Sequence, residues 1–242
     1  MKYKAVISYD GTNYYGYASQ PGLVTIQSDI EKVLSLICDT PIKIYASGRT
    51  DRYVHAIGQV IDFELPIAFD SDILKNKLNR MLPKDIRIIS VKRVKNSFSS
   101  RFSATKKTYI YVINPAEPTP FFRNYECSLS NLDLEKIEKA MPLFIGKHCF
   151  MNFTSKEEDE KNFLREIYSF KIVRKHNKYI FEITGDGFMR YMVRKIIGTL
   201  IEVGKGKIDE EFIKQNLSST DRKIVTYTAE PQALYLKRVF YR

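Results

Sequence analysis

The chain has 242 residues and carries 39 Lys and Arg against 28 Asp and Glu, which gives a formal net charge of +11. A chain of this length can bury one large core or two smaller ones, and its positive charge favours a polyanionic partner. No apolar run near the N-terminus reaches the length of a signal peptide or a membrane span, so we expect a cytoplasmic protein.

The sequence indicates no metal or cofactor site. Its three cysteines, Cys38, Cys127 and Cys149, are odd in number and widely spaced, which argues against a disulfide framework and against a zinc cluster. The histidines lack the spacing of metal ligands, and no nucleotide or redox fingerprint is present. We therefore expect no cofactor.

Hydrophobic periodicity predicts alternating strands and helices in the first half of the chain. The predicted strands cover residues 6–9, 42–46, 58–65, 86–91 and 109–113, and the predicted helices cover 26–37 and 74–82. Thr25 is a plausible N-cap of the first helix. In the last strand, alternation places Tyr109, Tyr111 and Ile113 on one face.

The second half repeats this mixture of strands and helices. It predicts a helix around 134–141, a polar insertion at 155–162, strands at 167–173 and 179–184, and a helix at 188–203. On that last helix, Arg190 and Arg194 are four residues apart and share one stripe. Two halves that each contain strands and helices fit an α+β chain with a large, mostly antiparallel sheet.

One short loop isolates a carboxylate beside a guanidinium. Gly48-Arg49-Thr50-Asp51 lies between two predicted strands, so Asp51 is held at strand ends, where a carboxylate can act as a nucleophile. A nearby Arg would keep it ionised. The alternative is a surface turn with a local Arg–Asp pair, and spacing by itself favours that alternative because ion pairs in turns are common.

A basic segment follows between residues 92 and 123, where the only acidic residue is Glu117. Its basic residues are Lys92, Arg93, Lys95, Arg101, Lys106, Lys107 and Arg123. Aromatic residues are interleaved with them, so the segment can pair with phosphates and stack on bases, as RNA-binding proteins do. Most aromatic residues of the chain are nevertheless expected to fill cores.

Five stretches occur in a fixed order. They read Tyr-Asp-Gly-Thr-Asn-Tyr-Tyr-Gly at 9–16; Gly-Arg-Thr-Asp at 48–51 with Val-His-Ala at 54–56 and Gly-Gln-Val at 58–60; Arg-Phe-Ser-Ala-Thr at 101–105 with Lys-Thr-Tyr-Ile-Tyr at 107–111; Met-Val-Arg-Lys-Ile-Ile-Gly-Thr-Leu at 192–200; and Leu-Tyr-Leu at 234–236. Together they resemble the signature of the TruA-type tRNA pseudouridine synthases over almost the whole chain. One such motif would be weak evidence, but five in register are specific.

The resemblance implies a pseudouridine synthase fold, with two α+β subdomains that share one sheet and a central active-site cleft between them. We divide the chain into an N-terminal subdomain, 1–104, which carries the Gly-Arg-Thr-Asp loop, and a C-terminal subdomain, 105–242, which carries Tyr109 and the Met-Val-Arg helix. The resemblance also implies a homodimer in which one RNA touches both protomers.

Residue by residue, the resemblance implies that Asp51 is the catalytic nucleophile, attacking either the ribose C1′ or the uracil ring. Tyr109 would stack on the target base, Arg49 would help to place the flipped nucleotide, and Arg194 would be the ion-pair partner of Asp51. The pattern alone equally allows Tyr109 to be an ordinary aromatic residue of a sheet face. Without its partner, a desolvated Asp51 would tend to take up a proton.

The chain departs from the family pattern beside the motif. Arg52 and Tyr53 stand where Ala-Gly is usual, and Ala233 stands where Gly usually precedes Leu-Tyr-Leu. If the usual Gly has a positive φ, Tyr53 is strained or the loop differs. We expect Arg52 and Tyr53 to contact RNA next to the target uridine; the alternative is a loop that bulges into solvent.

Three functions follow from these observations. The first is a tRNA pseudouridine synthase acting at positions 38–40 of the anticodon arm. The second is the same chemistry on another RNA, such as ribosomal RNA, and the third is a catalytically silent RNA-binding protein, which would not need Asp51. A metal-dependent nuclease is disfavoured because two-metal chemistry needs several clustered carboxylates and the motif offers one.

Overall fold

The computed structural model describes residues 1–155 and 163–242. The polar insertion predicted at 155–162 therefore lies outside the described residues, apart from Ser155. The chain divides into two compact units, residues 1–105 with 235–242 and residues 106–234. The first change of unit falls one residue beyond the expected division, whereas residues 235–242 belong to the first unit and not to the second.

Strands and helices occur in both units. The strands in the described residues are β1 (Lys2–Tyr9), β2 (Ile44–Ala46), β3 (His55–Glu64), β4 (Ile86–Arg93), β5 (Ala104–Asn114), β6 (Cys127–Ser128), β7 (Gly146–Cys149), β8 (Leu164–Lys175), β9 (Lys178–Gly185) and β10 (Leu234–Tyr241). The α-helices in the described residues are α1 (Ile26–Cys38), α2 (Ser71–Met81), α3 (Leu134–Ala140), α4 (Met192–Gly204) and α5 (Glu210–Ser218).

In the first unit the strands are ordered β4-β1-β3-β10, and β2 also pairs with β3. Strand β1 is antiparallel to both β3 and β4, and β2 is antiparallel to β3. Strand β10 is parallel to β3, with Tyr235 opposite His55 and Leu236 opposite Ala56. Because β10 forms backbone hydrogen bonds with β3, residues 235–242 belong to the first unit.

Helix α1 begins where the sequence predicts. The Thr25 side chain accepts a hydrogen bond from the backbone N–H of Ser28, and the Ser28 side chain bonds back to the backbone of Thr25, which forms a capping box. Ile26, Ile30 and Leu34 are buried because helical spacing places them on one face.

In the second unit the strands are ordered β5-β9-β8-β7, each pair antiparallel, and β6 pairs parallel with β5. Tyr109, Tyr111 and Ile113 are all buried on β5, which confirms the predicted alternation. Large aromatic side chains fill the rest of this core, including Phe144, Phe150, Phe153 and Phe181.

Helix α4 begins at Met192, and the prediction that it begins at residue 188 is wrong. Tyr191, immediately before it, has φ 61 and ψ 0, a left-handed conformation that a right-handed helix cannot include. Arg190 consequently lies outside the helix, and its predicted place one turn before Arg194 is also wrong. The apolar spacing misled because Met189 is buried although it is not helical.

The expected fold class, α+β with a mostly antiparallel sheet, is confirmed. The strand pairs described above are antiparallel except β3 with β10 and β5 with β6. Among the described residues, no helix combines the length and the apolar character needed to cross a bilayer.

Candidate active site

The Gly-Arg-Thr-Asp loop joins β2 to β3, so Asp51 lies between two strands as predicted. Gln59 of β3 is completely buried and fixes the start of this loop. Its side-chain oxygen accepts a hydrogen bond from the Ser47 hydroxyl at 2.6 Å, and its amide group donates to the Gly48 carbonyl at 2.8 Å. The loop therefore starts from a buried polar anchor.

A second loop, residues 10–17, packs directly on the first. A Cβ on Gly11 would lie 2.2 Å from the Val54 carbonyl oxygen, and one on Gly16, where φ is +90, would lie 3.1 Å from the Thr50 carbonyl oxygen. The Tyr17 N–H donates to that Thr50 oxygen at 3.0 Å. The glycines of the first motif are thus required by the close approach of the two backbones.

His55 connects the two loops. Its Nδ1 atom lies 3.0 Å from the backbone nitrogen of Gly11 and 3.1 Å from a carboxylate oxygen of Asp10. The imidazole ring is buried and stacks on Tyr235 of β10, with 4.7 Å between ring centroids. His55 and Tyr235 thereby connect the start of β3, directly after the Gly-Arg-Thr-Asp loop, to β10.

Thr50 and Asp51 lie in different environments. Thr50 is buried, and its hydroxyl is 2.8 Å from the hydroxyl of Tyr9; burial raises the pKa of Tyr9 above its ordinary value. Asp51 is half-buried, and its carbonyl accepts from the Val54 N–H at 3.2 Å, which closes a turn. The anchored Thr50 thus presents its neighbour Asp51 at the surface of the unit.

Arg49 is exposed, and it forms no ion pair with any residue that the structure describes. The alternative of a surface turn held by a local pair between Arg49 and Asp51 is therefore not what the structure contains. Backbone hydrogen bonds and loop packing help to position Asp51.

The two residues after Asp51 have an unusual arrangement. Tyr53 has φ +68, so the departure from Gly places a large side chain in the left-handed region, at a cost of about 1–2 kcal/mol. The Arg52 guanidinium carbon lies 4.3 Å from the ring centroid of Tyr15 and 4.6 Å from that of Tyr53. Both distances fit cation–π contacts.

Tyr109 lies in the second unit, on β5 opposite Ile183 of β9. It is 8% exposed, and its ring meets that of Phe188 edge to face with 5.3 Å between centroids. Phe188 belongs to the segment that the sequence assigned to a helix, so this ring contact was not predicted.

Arg194 lies on α4 and is hydrogen-bonded to the segment 225–229, for which sequence reasoning made no prediction. Its Nε donates to the Ala229 carbonyl at 2.7 Å, and the Ala229 N–H donates back to the Arg194 carbonyl at 2.9 Å. Nearby, the Lys195 ammonium donates to the Val225 carbonyl. Gly198 is the sequence feature that could have indicated this contact, because a Cβ at that position would lie 2.9 Å from the backbone of residues 227–229.

The Tyr191 ring lies close to two cations. The guanidinium carbons of Arg190 and Arg194 are 5.2 Å and 4.9 Å from its centroid. Arg190 is exposed whereas Arg194 is half-buried. Of the predicted site residues, Arg49 and Asp51 thus share the loop of the first unit, and Tyr109 and Arg194 belong to the second. In the described residues, no three or more His, Cys, Asp or Glu side chains cluster closely enough to hold a metal ion.

The five motifs, carried by a mostly antiparallel α+β chain, point to the pseudouridine synthase class. The sequence model of the family described as tRNA pseudouridine synthase matches residues 5–103 and 140–242. The chain belongs to this family.

Curated relatives agree over the full length. The chain is 39% identical over 239 residues to tRNA pseudouridine synthase A of Exiguobacterium sp., covering 98% of this chain and 97% of that one. It is 39% identical over 245 residues to tRNA pseudouridine synthase A of Bacillus pumilus, covering 100% and 99%. The protein is therefore an isomerase, which disfavours the catalytically silent alternative.

Proposed function

We propose that this protein isomerises uridine to pseudouridine at positions 38–40 in the anticodon stem-loop of tRNA, with Asp51 as the nucleophile. The observation that carries the proposal is the placement of Asp51 on a turn that Gln59, Gly11 and Gly16 hold rigidly. Membership of the tRNA pseudouridine synthase family and the net charge of +11 support a tRNA substrate.

The reaction replaces one bond by another without net redox change. The bond between N1 of uracil and C1′ of ribose breaks, the ring turns, C5 bonds to C1′, and the proton on C5 is lost while N1 gains one. A single carboxylate can hold the intermediate, by attack either on C1′ or on the uracil ring. Rigid placement matters because a small displacement of a reacting group costs much of the rate.

The other predicted residues have supporting roles in this proposal. Tyr109 stacks on the target base and assists the loss of its C5 proton. Arg194 pairs with Asp51 and keeps the carboxylate ionised, and its fixed bond to Ala229 supports a positioned guanidinium. Arg49, exposed at the loop, contacts the flipped nucleotide or its backbone.

The assembly and location belong to the same proposal. We expect a cytoplasmic homodimer in which one tRNA touches both protomers. Light scattering of the purified protein, alone and with an anticodon stem-loop, measures the stoichiometry, and a monomer that binds and modifies tRNA alone would contradict the dimer.

The decisive test is Asp51→Asn, which keeps the shape of the side chain but removes the nucleophile. We expect kcat, measured by tritium release from C5-labelled uridine in tRNA, to fall at least about a thousandfold, or ~4 kcal/mol, while tRNA affinity is nearly unchanged. Asp72→Asn, an exposed carboxylate in the first turn of α2, is the matched control. Substantial turnover by Asp51→Asn would refute the assignment.

The target RNA needs a separate measurement. A pseudouridine map of cellular RNA, with and without the protein, should lose signal at tRNA positions 38–40. Loss at ribosomal sites instead would support the same chemistry on another RNA.

A further inference from the structure

We propose that Tyr15, Arg52 and Tyr53 form a binding site for the nucleotide that adjoins the target uridine. In this Tyr15–Arg52–Tyr53 cluster, the guanidinium pairs with the phosphate of that nucleotide and the Tyr53 ring stacks on its base. The inference rests on the proposed function, since it takes Asp51 as the residue that meets the target.

The cluster presents aromatic surface to solvent. Tyr15 is 43% exposed and Tyr53 is 36% exposed, although both lie beside the guanidinium of Arg52, at 4.3 Å and 4.6 Å. Aromatic rings that remain accessible on a basic protein are the surface on which unpaired bases stack. The cluster therefore has the chemistry of a nucleotide site.

Arg52 supplies the charge. Within the part of the chain that the structure describes, its contacts are the two rings, and no carboxylate pairs with it. The guanidinium carbon lies 4.3 Å and 4.6 Å from the two ring centroids, and the N–H donors of an Arg lie in the guanidinium plane. Those donors match the oxygens of a phosphate, to which Arg binds in bidentate fashion.

Local contacts hold the backbone of the cluster in place without RNA. The Tyr15 N–H donates to the Val24 carbonyl at 3.0 Å, and the Tyr15 carbonyl accepts from the Gln20 side chain at 3.0 Å. Gly16 lies against the same loop, since a Cβ there would be 3.2 Å from the backbone nitrogen of Arg52. A backbone that is already held in place loses less conformational entropy when RNA binds.

The backbone conformation of Tyr53 indicates that its ring serves binding and is not needed to form the turn. Its φ of +68 is a conformation that Gly adopts without strain, so a turn alone would be better made without this side chain. Strained residues persist mainly at functional sites. Because Arg52 and Tyr53 directly follow Asp51, the nucleotide within their reach is a neighbour of the target.

The test deletes the ring from the protein and the base from the RNA. Tyr53→Gly is compared with the wild type on an anticodon stem-loop and on the same RNA made abasic on either side of the target uridine. We expect Tyr53→Gly to lower kcat/KM about tenfold on the intact RNA. On the RNA that lacks the stacked base, kcat/KM of the wild type should fall by the same factor of about ten, whereas kcat/KM of Tyr53→Gly should fall little below its value on the intact RNA.

Two further variants complete the design. Tyr53→Phe keeps the ring and should therefore stay sensitive to removal of the stacked base, unlike Tyr53→Gly. Arg52→Ala should weaken binding and reduce by about one the slope of log affinity against log salt. Arg238→Ala is the matched control, because it also removes an exposed Arg that lies 4.7 Å from an aromatic ring, that of Phe240, and it should leave activity and slope unchanged.

The outcomes separate this inference from the proposed function. The effects of Tyr53→Gly and of the abasic RNAs can also be measured as equilibrium affinities with the Asp51→Asn protein, so this test does not depend on turnover. Equal effects of Tyr53→Gly on intact RNA and on both abasic RNAs, or an unchanged salt slope in Arg52→Ala, would overturn the nucleotide site. Persistent turnover by Asp51→Asn would instead overturn only the assignment of the nucleophile.

Discussion

The buried side chain of Gln59 accepts a hydrogen bond from the Ser47 hydroxyl at 2.6 Å, across the base of the loop that carries Asp51. Both residues lie outside the Gly-Arg-Thr-Asp tetrapeptide, yet they fix the position at which its backbone begins. A buried polar network is stable only while each of its polar groups has a hydrogen-bond partner. The loop therefore depends on Gln59, although Gln59 does not need to contact RNA.

Replacing Gln59 by Leu should destabilise the protein and slow catalysis. The change removes one hydrogen-bond partner of the Ser47 hydroxyl and one of the Gly48 carbonyl, and we expect the free energy of unfolding to fall by about 2–3 kcal/mol. Urea unfolding and kcat measure the two effects. Gln215→Leu, at an exposed position of α5, is the control and should change neither.

Gly11→Ala should separate the two packed loops. The added methyl would meet the Val54 carbonyl oxygen at 2.2 Å, so the backbone must move, and we expect a loss of about 2–3 kcal/mol in stability together with a fall in kcat. Gly22→Ala is the control for activity, since no atom lies within 4 Å of its Cβ position; its φ of +73 makes Ala there strained by about 1–2 kcal/mol. If the two variants were equally active, loop packing would not position Asp51.

Lys195→Met should change how stability depends on pH. Burial lowers the pKa of Lys195 below its ordinary 10.5, and the charge of Arg194 lowers it further. Between the folded and unfolded pKa values the unfolded chain binds more protons, so the contribution of Lys195 to stability rises as pH rises through that window. The difference in unfolding free energy between wild type and variant, measured from neutral to alkaline pH, should therefore increase in favour of the wild type.

Lys106→Gln with Lys107→Gln should weaken binding to all structured RNAs alike. Lysines that pair with phosphate position a protein without reading sequence, and removing such a lysine reduces the salt dependence of binding. Affinity at low and at moderate salt measures the slope, with Lys75→Gln and Lys77→Gln on α2 as a charge-matched control. An unchanged slope in the Lys106 and Lys107 variant would show that neither lysine contacts RNA.

EDTA should leave turnover intact when the RNA is already folded, because the proposed chemistry uses a carboxylate and no metal ion. The measurement compares activity on a short stem-loop in spermidine with activity in Mg²⁺. A loss of kcat in spermidine that Mg²⁺ restores, with the RNA fold unchanged by melting, would contradict a metal-free reaction.

The sequence by itself determined most of the local elements and the resemblance to the tRNA pseudouridine synthases. Helix α1 was predictable from its apolar spacing and from the N-cap at Thr25. The position of Asp51 between two strands was predictable because the apolar patterns on either side of it are local properties of the sequence. Helix α5 was missed because its pattern is weak, with Ile213 its one buried residue among those described.

Only the tertiary structure decided the remaining relationships. The return of β10 to His55, the backbone contact that requires Gly11, and the approach of Tyr15 to Arg52 join residues far apart in the chain. Tyr191 ended a helix that apolar spacing would have extended. Periodicity reports which face of an element is buried, but the partner that buries it is chosen by packing across the whole fold, so residue spacing alone does not encode these contacts.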